Sequence, residues 1–484
     1  MPMTSSIAPN TNNTHHRRSL KRSLLKTLFA LLAVTGINAH AQPLQLDMDV
    51  FAERRAAFMD KMDPSGIAIF PSKPVYIRNR DITYEYRQES NFYYLSGFEE
   101  PDAILLLAPS NDRYKFVIFL RKPDPRRETF EGPRAGVEGA MNTFRADTAL
   151  YYDDFEVSVY QFIKREGMLY YPFSINPEID EKVQKRFTSD YWHITNPFPM
   201  LSEMRLIKQD ADWKMGFRQA VDISVKAHIE AITSIRPGMY EYEIQGIFEH
   251  VYRKNGSPRN AYPCIIASGP NSCILHYSKN TRRMDDGDLV LMDCAAEYGY
   301  YAADITRTVP VNGIFSKEER TIYQIVLDAQ DTAMKTVRPG IQFKTISAVI
   351  DSVLSSRLAE LKFFKEKKDL PMFTLHGYSH WLGLDVHDVG EYTKNGESRV
   401  LEPGMVFTIE PGIYIPSDIF DRLEGKGYTD YDIKMLRPIL QPYVNIGVRI
   451  EDDVTVTNDG FINLSAGAPR GIDEIENLMR QEKR

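Results

Sequence analysis

The sequence predicts an α/β (α+β) protein with two domains, an N-terminal α/β domain followed by a larger domain built on a pseudo-two-fold repeat. With 484 residues, the chain is longer than one hydrophobic core usually supports. Strand-like apolar runs alternate with helical or polar stretches up to about residue 200, which is typical of α/β domains. Further along, a helix, the tripeptide Arg-Pro-Gly and a second helix occur twice, with the tripeptides ending at Gly238 and Gly340. This repetition indicates two related halves, although Pro and Gly also commonly follow helix C-termini.

Residues 42–202 are assigned to the N-terminal domain and residues 203–484 to the second domain. The boundary is drawn near a proline-containing stretch that begins at Thr195. The strand-like runs of the first domain extend from Gly66 to Phe70, from Ala103 to Ala108 and from Phe116 to Leu120. The second domain opens with a predicted amphipathic helix whose apolar residues recur every three to four positions. These residues are Phe217, Val221, Val225, Ile229, Ile232 and Ile235.

Residues 1–41 have the organisation of a cleavable signal peptide. A basic segment at 15–22 precedes a short apolar run at 27–37, and Ala39-His40-Ala41 before Gln42 fits an A-x-A cleavage site. The apolar run is shorter than the roughly 20 residues that span a bilayer. We therefore expect export, to a bacterial periplasm, and no stable membrane span after processing. An uncleaved membrane anchor is the alternative.

The composition excludes some classes of partner and site. The formal net charge is −7 at pH 7, so no nucleic-acid or anionic-membrane partner is indicated. The three cysteines, Cys264, Cys273 and Cys294, are too few for a disulfide scaffold or a thiolate metal site. The sequence leaves open whether Cys264 and Cys273 pair after export.

Two aspartates, Asp293 and Asp304, are the most informative residues of the second domain. The apolar run from Leu289 to Met292 leads into a predicted β-hairpin, and Tyr298-Gly299 can supply its two-residue turn. That turn would place Asp293 directly opposite Asp304, with Cβ atoms roughly 4.5–5.5 Å apart, where like charges repel. Such carboxylates share either a proton or cations, and two metal ions about 3.5–4 Å apart fit the separation. A pair of exposed strand-end aspartates is the alternative.

Three further fragments add metal-binding side chains to these aspartates. The segment 376–388 contains three of the ten histidines of the chain. Glu410 ends a β-prone run just before Pro-Gly, and Glu451 lies in another apolar run, two residues after Arg449 and therefore on the same face. Imidazole combined with several carboxylates suits Mn(II), Co(II), Fe(II) or Zn(II). The fragments therefore predict a metal site made of carboxylates and histidine.

The ordered set Asp293, Asp304, His380, Glu410 and Glu451 resembles the metal ligands of the pita-bread metallopeptidases, which include methionine aminopeptidase, prolidase and aminopeptidase P. The strings LMDCAAEYGYYAADITRT, HGYSHWLGLDVHD, TIEPGIY and VRIEDD are most similar to aminopeptidase P, or Xaa-Pro aminopeptidase. Residues 86–103 are similar to the N-terminal domain of the same enzymes. The resemblance implies a pita-bread catalytic domain at 203–484 and two divalent metal ions. Mn²⁺ is the expected metal, and Co²⁺, Zn²⁺ or Fe²⁺ also suit the ligands.

The resemblance also implies roles for individual residues. Asp293 would hold one metal, Asp304 and Glu451 would bridge both, and His380 and Glu410 would complete the second. Glu410 would also accept a proton from the attacking water and pass it to the leaving nitrogen. The residues expected to contact substrate are His276, His376, His387, Trp381 and Tyr414. Among them, His276 and His387 are expected to act in catalysis, together with Arg449, which would orient Glu451 or Tyr414 or form a structural ion pair.

The spacing of His376 and His380, four residues apart, could suggest a helical zinc-protease pair. Gly377 stands where that motif requires glutamate, so this interpretation is rejected.

The substrate implied by the resemblance is a peptide with proline second from its N-terminus, cut before the proline. Proline has no N–H, so it needs a dedicated pocket, which the histidines and Trp381 could form. Prolidase, which shares the five ligands but accepts only Xaa-Pro dipeptides, is the nearest alternative. An inactive binding protein on the same fold and metal-free hydrolysis of the creatinase type are disfavoured because all five ligands are present.

Two further expectations concern partners and access to the site. Relatives are commonly homo-oligomers, and the same is expected here. The polar segment 417–443 is longer than the connection usual in aminopeptidase P. It is interpreted as a surface insertion that could shape substrate access.

Overall fold

The computed structural model describes residues 46–163, 166–187 and 192–481. The predicted signal peptide at 1–41 lies outside these residues and stays a prediction. The strands of the N-terminal sheet are β1 (Ile67–Pro71), β4 (Ile104–Leu107), β5 (Phe116–Leu120), β6 (Thr148–Tyr151), β7 (Gly167–Tyr170) and β8 (Trp192–Thr195). They form one mixed sheet in the order β6-β5-β4-β1-β7-β8. A separate exposed hairpin consists of β2 (Ile77–Asn79) and β3 (Ile82–Thr83).

The central strands of this sheet are buried on both faces, which explains their continuous apolar runs. Because side chains alternate along a strand, Leu105 and Leu107 pack into one core and Ile104 and Leu106 into another. The helices of the domain are Met48–Met59, Ser90–Ser96, Pro125–Glu131, Gly136–Asn142, Phe155–Ser158 and Pro177–Phe187. The predicted α/β class of the first domain is confirmed.

Helix Phe198–Leu206 connects the N-terminal domain to the second domain. The predicted boundary between residues 202 and 203 falls inside this helix and stays a prediction. A short helical turn at Asp210–Asp212 and a π-helical turn at Trp213–Phe217 then lead into the long helix Arg218–Ser234. This helix buries Val221 and Ile232, as its amphipathic pattern predicts.

The second domain contains two related halves, as the repeated Arg-Pro-Gly indicates. The first half pairs helices Arg218–Ser234 and Glu241–Lys254, and the second pairs Lys317–Met334 and Lys344–Glu360. The strands of the first half are β9 (Arg259–Asn260), β10 (Ile265–Ser268), β11 (Leu289–Asp293), β12 (Ala296–Tyr298), β13 (Tyr301–Ala302) and β14 (Thr306–Pro310). Those of the second half are β15 (Thr393–Lys394), β16 (Glu397–Ser398), β17 (Val406–Ile409), β18 (Gly412–Ile415), β19 (Ile446–Arg449), β20 (Asp452–Val456) and β21 (Phe461–Asn463). The last helix is Ile472–Gln481.

The strands of the two halves meet where the predicted metal ligands lie. Strand β11 is central in the antiparallel sheet β10-β11-β14, and β20 is central in β17-β20-β21. Thr306 forms an isolated antiparallel bridge with Glu451, which joins the two halves. The predicted pseudo-two-fold architecture is therefore confirmed.

The predicted hairpin at 289–304 is present, but its register is shifted by two residues. Asp293 pairs with Thr306 rather than with Asp304, and Glu297 pairs with Ala302. A shift of two residues keeps each side chain on the same face of the sheet. Asp293 and Asp304 therefore still point to one side, but as diagonal neighbours.

The shift arises because the turn is Gly299-Tyr300, not Tyr298-Gly299. Both turn residues have positive φ, +58° for Gly299 and +71° for Tyr300, as a type I′ turn requires. A bulky residue rarely adopts this conformation, and here tertiary contacts stabilise it. The Tyr300 ring stacks on the Tyr93 ring, with centroids 3.6 Å apart. The Tyr300 hydroxyl accepts a hydrogen bond from the backbone N–H of Gln88 at 3.2 Å.

The segment 417–443 folds into two helices, Ile419–Gly425 and Asp430–Leu440. The helices pack on the chain before the histidine cluster. The Tyr428 hydroxyl donates to Asp369, and the Tyr443 ring packs edge to face on Phe363 with centroids 4.9 Å apart. The insertion is thus a folded part of the second half.

Two remaining expectations can be compared with the described residues. No helix in the part of the chain described here is both long and apolar enough to cross a bilayer. Cys264, Cys273 and Cys294 are buried and are not joined by disulfide bonds in this structure.

Candidate metal centre and active site

A cavity of about 500 Å³ lies between the two halves of the second domain. All five predicted ligands line it: Asp293, Asp304, His380, Glu410 and Glu451. Asp293 ends a strand, Glu410 directly follows one, Asp304 and Glu451 lie between strands, and His380 lies in the loop between helix Pro371–Thr374 and β15. His276, His376, His387 and Arg449 line the same cavity. The structure therefore brings together residues that are far apart in the sequence.

The ligand atoms of Asp304, His380 and Glu451 all lie within 4.8 Å of one another. His380 Nε2 is 3.3 Å from Asp304 Oδ2 and 3.4 Å from Glu410 Oε1. His380 Nδ1 lies 3.1 Å from the carbonyl oxygen of Trp381, and donation there leaves Nε2 free to bind a metal. Buried Asp293 keeps one oxygen, Oδ1, without a hydrogen-bond partner among the described residues. An unpaired buried carboxylate oxygen beside this donor set fits a divalent cation.

The charges of the site support the same conclusion. Burial raises the pKa of Glu410 to about 7, and the nearby Asp304 carboxylate adds to the rise. Burial also raises the pKa of Glu451 well above its usual range, with Asp304 and Glu410 again adding. Burial lowers the pKa of His380, but its hydrogen bond to Asp304 and the Glu410 charge outweigh this and raise the pKa to about 9. Divalent cations would relieve this repulsion between carboxylates.

Arg449, which lines the cavity, holds carboxylates of the site by hydrogen bonds. Its Nη2 donates to Asp293 Oδ2 at 2.5 Å, and its Nη1 donates to the Tyr414 hydroxyl at 2.8 Å. Its Nε donates to Thr306 Oγ1 at 3.2 Å, and that hydroxyl donates to Glu451 Oε2 at 2.6 Å. Arg449 therefore contacts Asp293 and Tyr414 directly and reaches Glu451 only through Thr306.

Three further histidines surround the predicted ligands. His376 Nε2 lies 2.8 Å from the Tyr414 hydroxyl, and burial lowers the pKa of His376 to about 4. The His387 ring lies 4.4 Å from the His380 ring, and burial lowers the pKa of His387 as well. Near neutral pH, His376 and His387 are therefore neutral and can donate or accept hydrogen bonds. His276 also lines the cavity.

Two residues predicted to contact substrate do not line the cavity. Trp381 is fully buried and packs against Phe343, with ring centroids 4.5 Å apart, and stacks on Tyr392. Its neighbour His380 faces the cavity, and consecutive side chains in extended chain point to opposite sides, so Trp381 points into the core. The prediction that Trp381 contacts substrate is therefore wrong.

Tyr414 is also fully buried and lies outside the cavity lining. Its hydroxyl contacts His376 and Arg449, so it acts on the site through these two side chains. The prediction of direct substrate contact by Tyr414 is corrected to a positioning role.

Several residues of the site were not predicted from the sequence. The Tyr262 hydroxyl donates to Asp304 Oδ1 at 2.6 Å, and Tyr262 lines the cavity. Thr306 connects Arg449 to Glu451, as described above. The apolar wall of the cavity consists of Pro263, Ile265, Leu275 and Val386. Thr306 and Val386 lie within two of the recognised sequence strings, whereas no pattern distinguishes the others.

Glu241 is a buried carboxylate that holds the loop carrying His276. It is fully buried and accepts hydrogen bonds from four residues of this loop at 2.7–3.0 Å. These residues are Ser268, Asn271, Tyr277 and Arg282. A carboxylate with this many donors is well satisfied and fixes the backbone on both sides of His276.

Comparison with known proteins agrees with this geometry, and the chain belongs to metallopeptidase family M24, whose model matches residues 216–458. A second model, the N-terminal domain of aminopeptidase P, matches residues 51–170. The Xaa-Pro aminopeptidase of Haemophilus influenzae is 38% identical over 442 residues, which are 90% of this chain and 98% of the relative. Xaa-Pro aminopeptidase 3 of Homo sapiens is 32% identical and covers 85% of this chain and 80% of its own length.

Solved structures show the same similarity. Pseudomonas aeruginosa aminopeptidase PepP aligns with a TM-score of 0.83 and 38% identity, covering 91% of this chain and 99% of its own. A substrate complex of an Escherichia coli aminopeptidase P variant aligns with a TM-score of 0.83 and 35% identity over 91% and 99% of the two chains.

Proposed function

We propose that this protein is a metal-dependent Xaa-Pro aminopeptidase, which releases the N-terminal residue from peptides with proline in second position. The observation that carries the proposal is the convergence of four carboxylates and His380 from both halves around one cavity, with three more histidines beside them. Relatives named Xaa-Pro aminopeptidase that match nearly their whole length support the substrate class.

The residues that would hold the two cations are Asp293, Asp304, His380, Glu410 and Glu451, of which Asp304 and Glu451 would be shared by both. When bound, the cations would supply a nucleophile by lowering the pKa of a coordinated water towards neutrality. Among possible metals, Mn²⁺ is proposed because a site rich in carboxylates with one imidazole suits it. Zn²⁺ is an alternative, since a relative has been solved in a zinc-substituted form.

Glu410 is proposed as the proton carrier. Its Oε1 lies 3.4 Å from His380 Nε2, and its Oε2 lies 3.6 Å from His376 Nδ1, so it faces the centre of the cavity. A carboxylate placed there can take a proton from the attacking water and deliver it to the leaving proline nitrogen. His276 and His387 are proposed to hydrogen-bond the scissile carbonyl oxygen as its charge develops.

The cavity fits a longer peptide better than an Xaa-Pro dipeptide. Of the described residues that line it, Arg449 is the one arginine or lysine. All three of its donor nitrogens are engaged by Asp293, Tyr414 and Thr306. A dipeptide would bury its terminal carboxylate without a free guanidinium or ammonium partner, which is costly. Prolidase activity is therefore not favoured.

We expect the mature protein, from Gln42 onward and loaded with Mn²⁺, to release the first residue of Xaa-Pro-Xaa tripeptides. Xaa-Pro dipeptides should be hydrolysed at least about tenfold more slowly, because their carboxylate lacks a partner. Liquid chromatography of the products, with and without a chelator, measures both rates. Preferred turnover of dipeptides would identify a prolidase, and no turnover with any divalent metal would support a binding protein.

We also propose that the protein is exported and processed, on the basis of the A-x-A site before Gln42. When the full chain is expressed in a bacterium, the periplasmic fraction should contain protein that begins at Gln42. The intact mass of the purified protein measures this. Ala41→Arg, which blocks such sites, should leave the longer form. A full-length chain recovered from the cytoplasm would contradict the proposal. A homo-oligomeric state likewise stays a prediction.

A further inference from the structure

The loop at residues 383–388 brings catalytic and structural residues together. Val386 and His387 line the cavity, and Asp388 closes the loop because its amide donates to the Trp381 carbonyl oxygen at 2.9 Å. The opposite side of the loop faces away from the cavity, towards the N-terminal domain and helix Phe198–Leu206. Buried ionic contacts are concentrated there.

Arg205, near the end of that helix, is the centre of these contacts. Its side chain is 2% exposed. Its Nη2 donates to Asp385 Oδ2 at 2.8 Å and to Asp388 Oδ1, and its Nη1 donates to Asn91 Oδ1 of the N-terminal domain at 2.7 Å. One planar guanidinium therefore joins the two domains and holds both aspartates of the loop.

Lys208 completes the ionic cluster. Its Nζ donates to Asp388 Oδ2 at 2.8 Å and to the Arg205 carbonyl oxygen at 2.6 Å. Two buried cations thus balance two carboxylates, of which Asp388 is buried and Asp385 is 41% exposed. Gly383 packs so closely that a Cβ would lie 2.1 Å from Asp388 Oδ2 and 2.7 Å from Lys208 Nζ. The loop backbone therefore lies directly against the ion pairs.

The N-terminal domain contacts the same loop at two more points. Ser90 Oγ donates to Asp385 Oδ1 at 2.7 Å, and Arg87 Nη2 donates to the Leu384 carbonyl oxygen at 2.6 Å. Arg87 Nε also donates to Glu297 Oε2 at 2.6 Å, on the hairpin that carries Asp293. None of the described residues of the N-terminal domain lines the cavity, yet this domain is hydrogen-bonded to the loop that carries Val386 and His387.

We propose that Arg205 and Lys208 are positioning residues for His387, through which the N-terminal domain sets the geometry of the active site. The proposal rests on the proposed function, because it takes His387 to act on the scissile carbonyl. Held by Arg205 and Lys208, Asp388 fixes the residue next to His387 in the chain. A histidine that stabilises developing charge must be held to within a fraction of an ångström, and misplacement by about 1 Å can cost 10²-fold in rate.

The test is Arg205→Lys in the full mature chain loaded with Mn²⁺. Lysine keeps the charge but cannot reach both aspartates and Asn91 at once. We expect kcat to fall about tenfold to a hundredfold, with KM changed less than about threefold, because His387 is proposed to act chiefly in the transition state. Bound metal, measured by elemental analysis, should be unchanged. Hydrogen–deuterium exchange should become faster in peptides covering 381–390.

Arg54→Lys is the matched control. Arg54 also makes a buried ion pair across the domains, with Asp212 at 2.6 Å, but does not contact the 383–388 loop. It should lower the unfolding temperature to a similar extent while leaving kcat and exchange at 381–390 unchanged. Equal losses of kcat in both variants would show general destabilisation and overturn the proposal.

A double-mutant cycle separates positioning from an independent structural effect. In a His387→Ala background, Arg205→Lys should cause little further loss of kcat, because the side chain it positions is already absent. Additive losses would overturn the proposal. If Arg205→Lys were fully active while His387→Ala was inactive, the positioning role of Arg205 would be overturned. The proposed function would remain intact. An inactive wild-type protein would instead refute the proposed function, and the exchange data would still report on the loop.

Discussion

Glu451→Ala is expected to abolish metal binding and peptidase activity together. Glu451 is 2% exposed, accepts a hydrogen bond from Thr306 and lies within 4.0 Å of His380 Nε2. Removing a carboxylate proposed to bridge two cations leaves neither with a complete set of ligands. Activity on an Xaa-Pro-Xaa tripeptide should fall by a factor on the order of 10³ or more. Elemental analysis and tripeptide hydrolysis measure the two losses.

Glu297→Ala is the matched control for this variant. Glu297 is another buried carboxylate, on the hairpin that carries Asp293, but it pairs with Arg87 and Arg259 outside the cavity. Its loss should lower the unfolding temperature because it leaves two arginines without their partner. Metal content should be retained. A Glu451→Ala protein that keeps its metal and full activity would refute the assignment of Glu451 as a ligand.

The stability that Glu410 and His380 contribute to the metal-free protein is expected to fall as pH rises from about 4.5 to 9, whereas the lowered pKa of His376 adds stability as pH rises from about 4 to 6.5. The pKa of Glu410 is raised from 4.5 to about 7, so its contribution is fully present below pH 4.5 and is lost as pH rises through 7. The pKa of His380 is raised from 6.5 to about 9, so its contribution is present below pH 6.5 and is lost through pH 9.

Added Mn²⁺ should reverse this trend. Metal ligands must be deprotonated, so affinity rises with pH and stabilisation by the metal grows across the same range. Thermal unfolding of chelator-treated protein, with and without Mn²⁺, measures both effects. The glutamine introduced by Glu410→Gln cannot ionise. The metal-free stability of this variant should therefore fall less steeply than that of the wild type below about pH 7. Equal pH dependence of metal-free stability in wild type and Glu410→Gln would contradict the electrostatic description of the site.

The parts of the fold that local sequence determines were predicted correctly. The helix that precedes the first Arg-Pro-Gly is readable from short-range apolar spacing and from signals at the helix end. The strands that carry Asp293 and Glu410 are apolar runs that end at a carboxylate. Each of these features depends on neighbours within a few residues, so a single sequence contains the information.

Features that depend on distant residues were predicted wrongly or missed. The hairpin register follows from Tyr300, whose left-handed backbone is stabilised by Tyr93, more than 200 positions away. The pairing of Arg205 with Asp388 joins residues 183 positions apart. Trp381 faces the core because it directly follows His380, which faces the cavity, and consecutive side chains in extended chain point to opposite sides. The sequence does not show which of the two residues faces the cavity. The pattern of apolar residues within one segment does not specify contacts with residues far away in the sequence.

The halves of the second domain contribute unequally to the ligand set. Asp293 and Asp304 come from the first half, whereas His380, Glu410 and Glu451 come from the second. An ancestral chain with a single half would therefore carry too few ligands to enclose a pair of cations and would depend on meeting another copy of itself. Carrying both halves on one chain makes that encounter intramolecular, so the centre assembles at a fixed effective concentration however dilute the protein becomes.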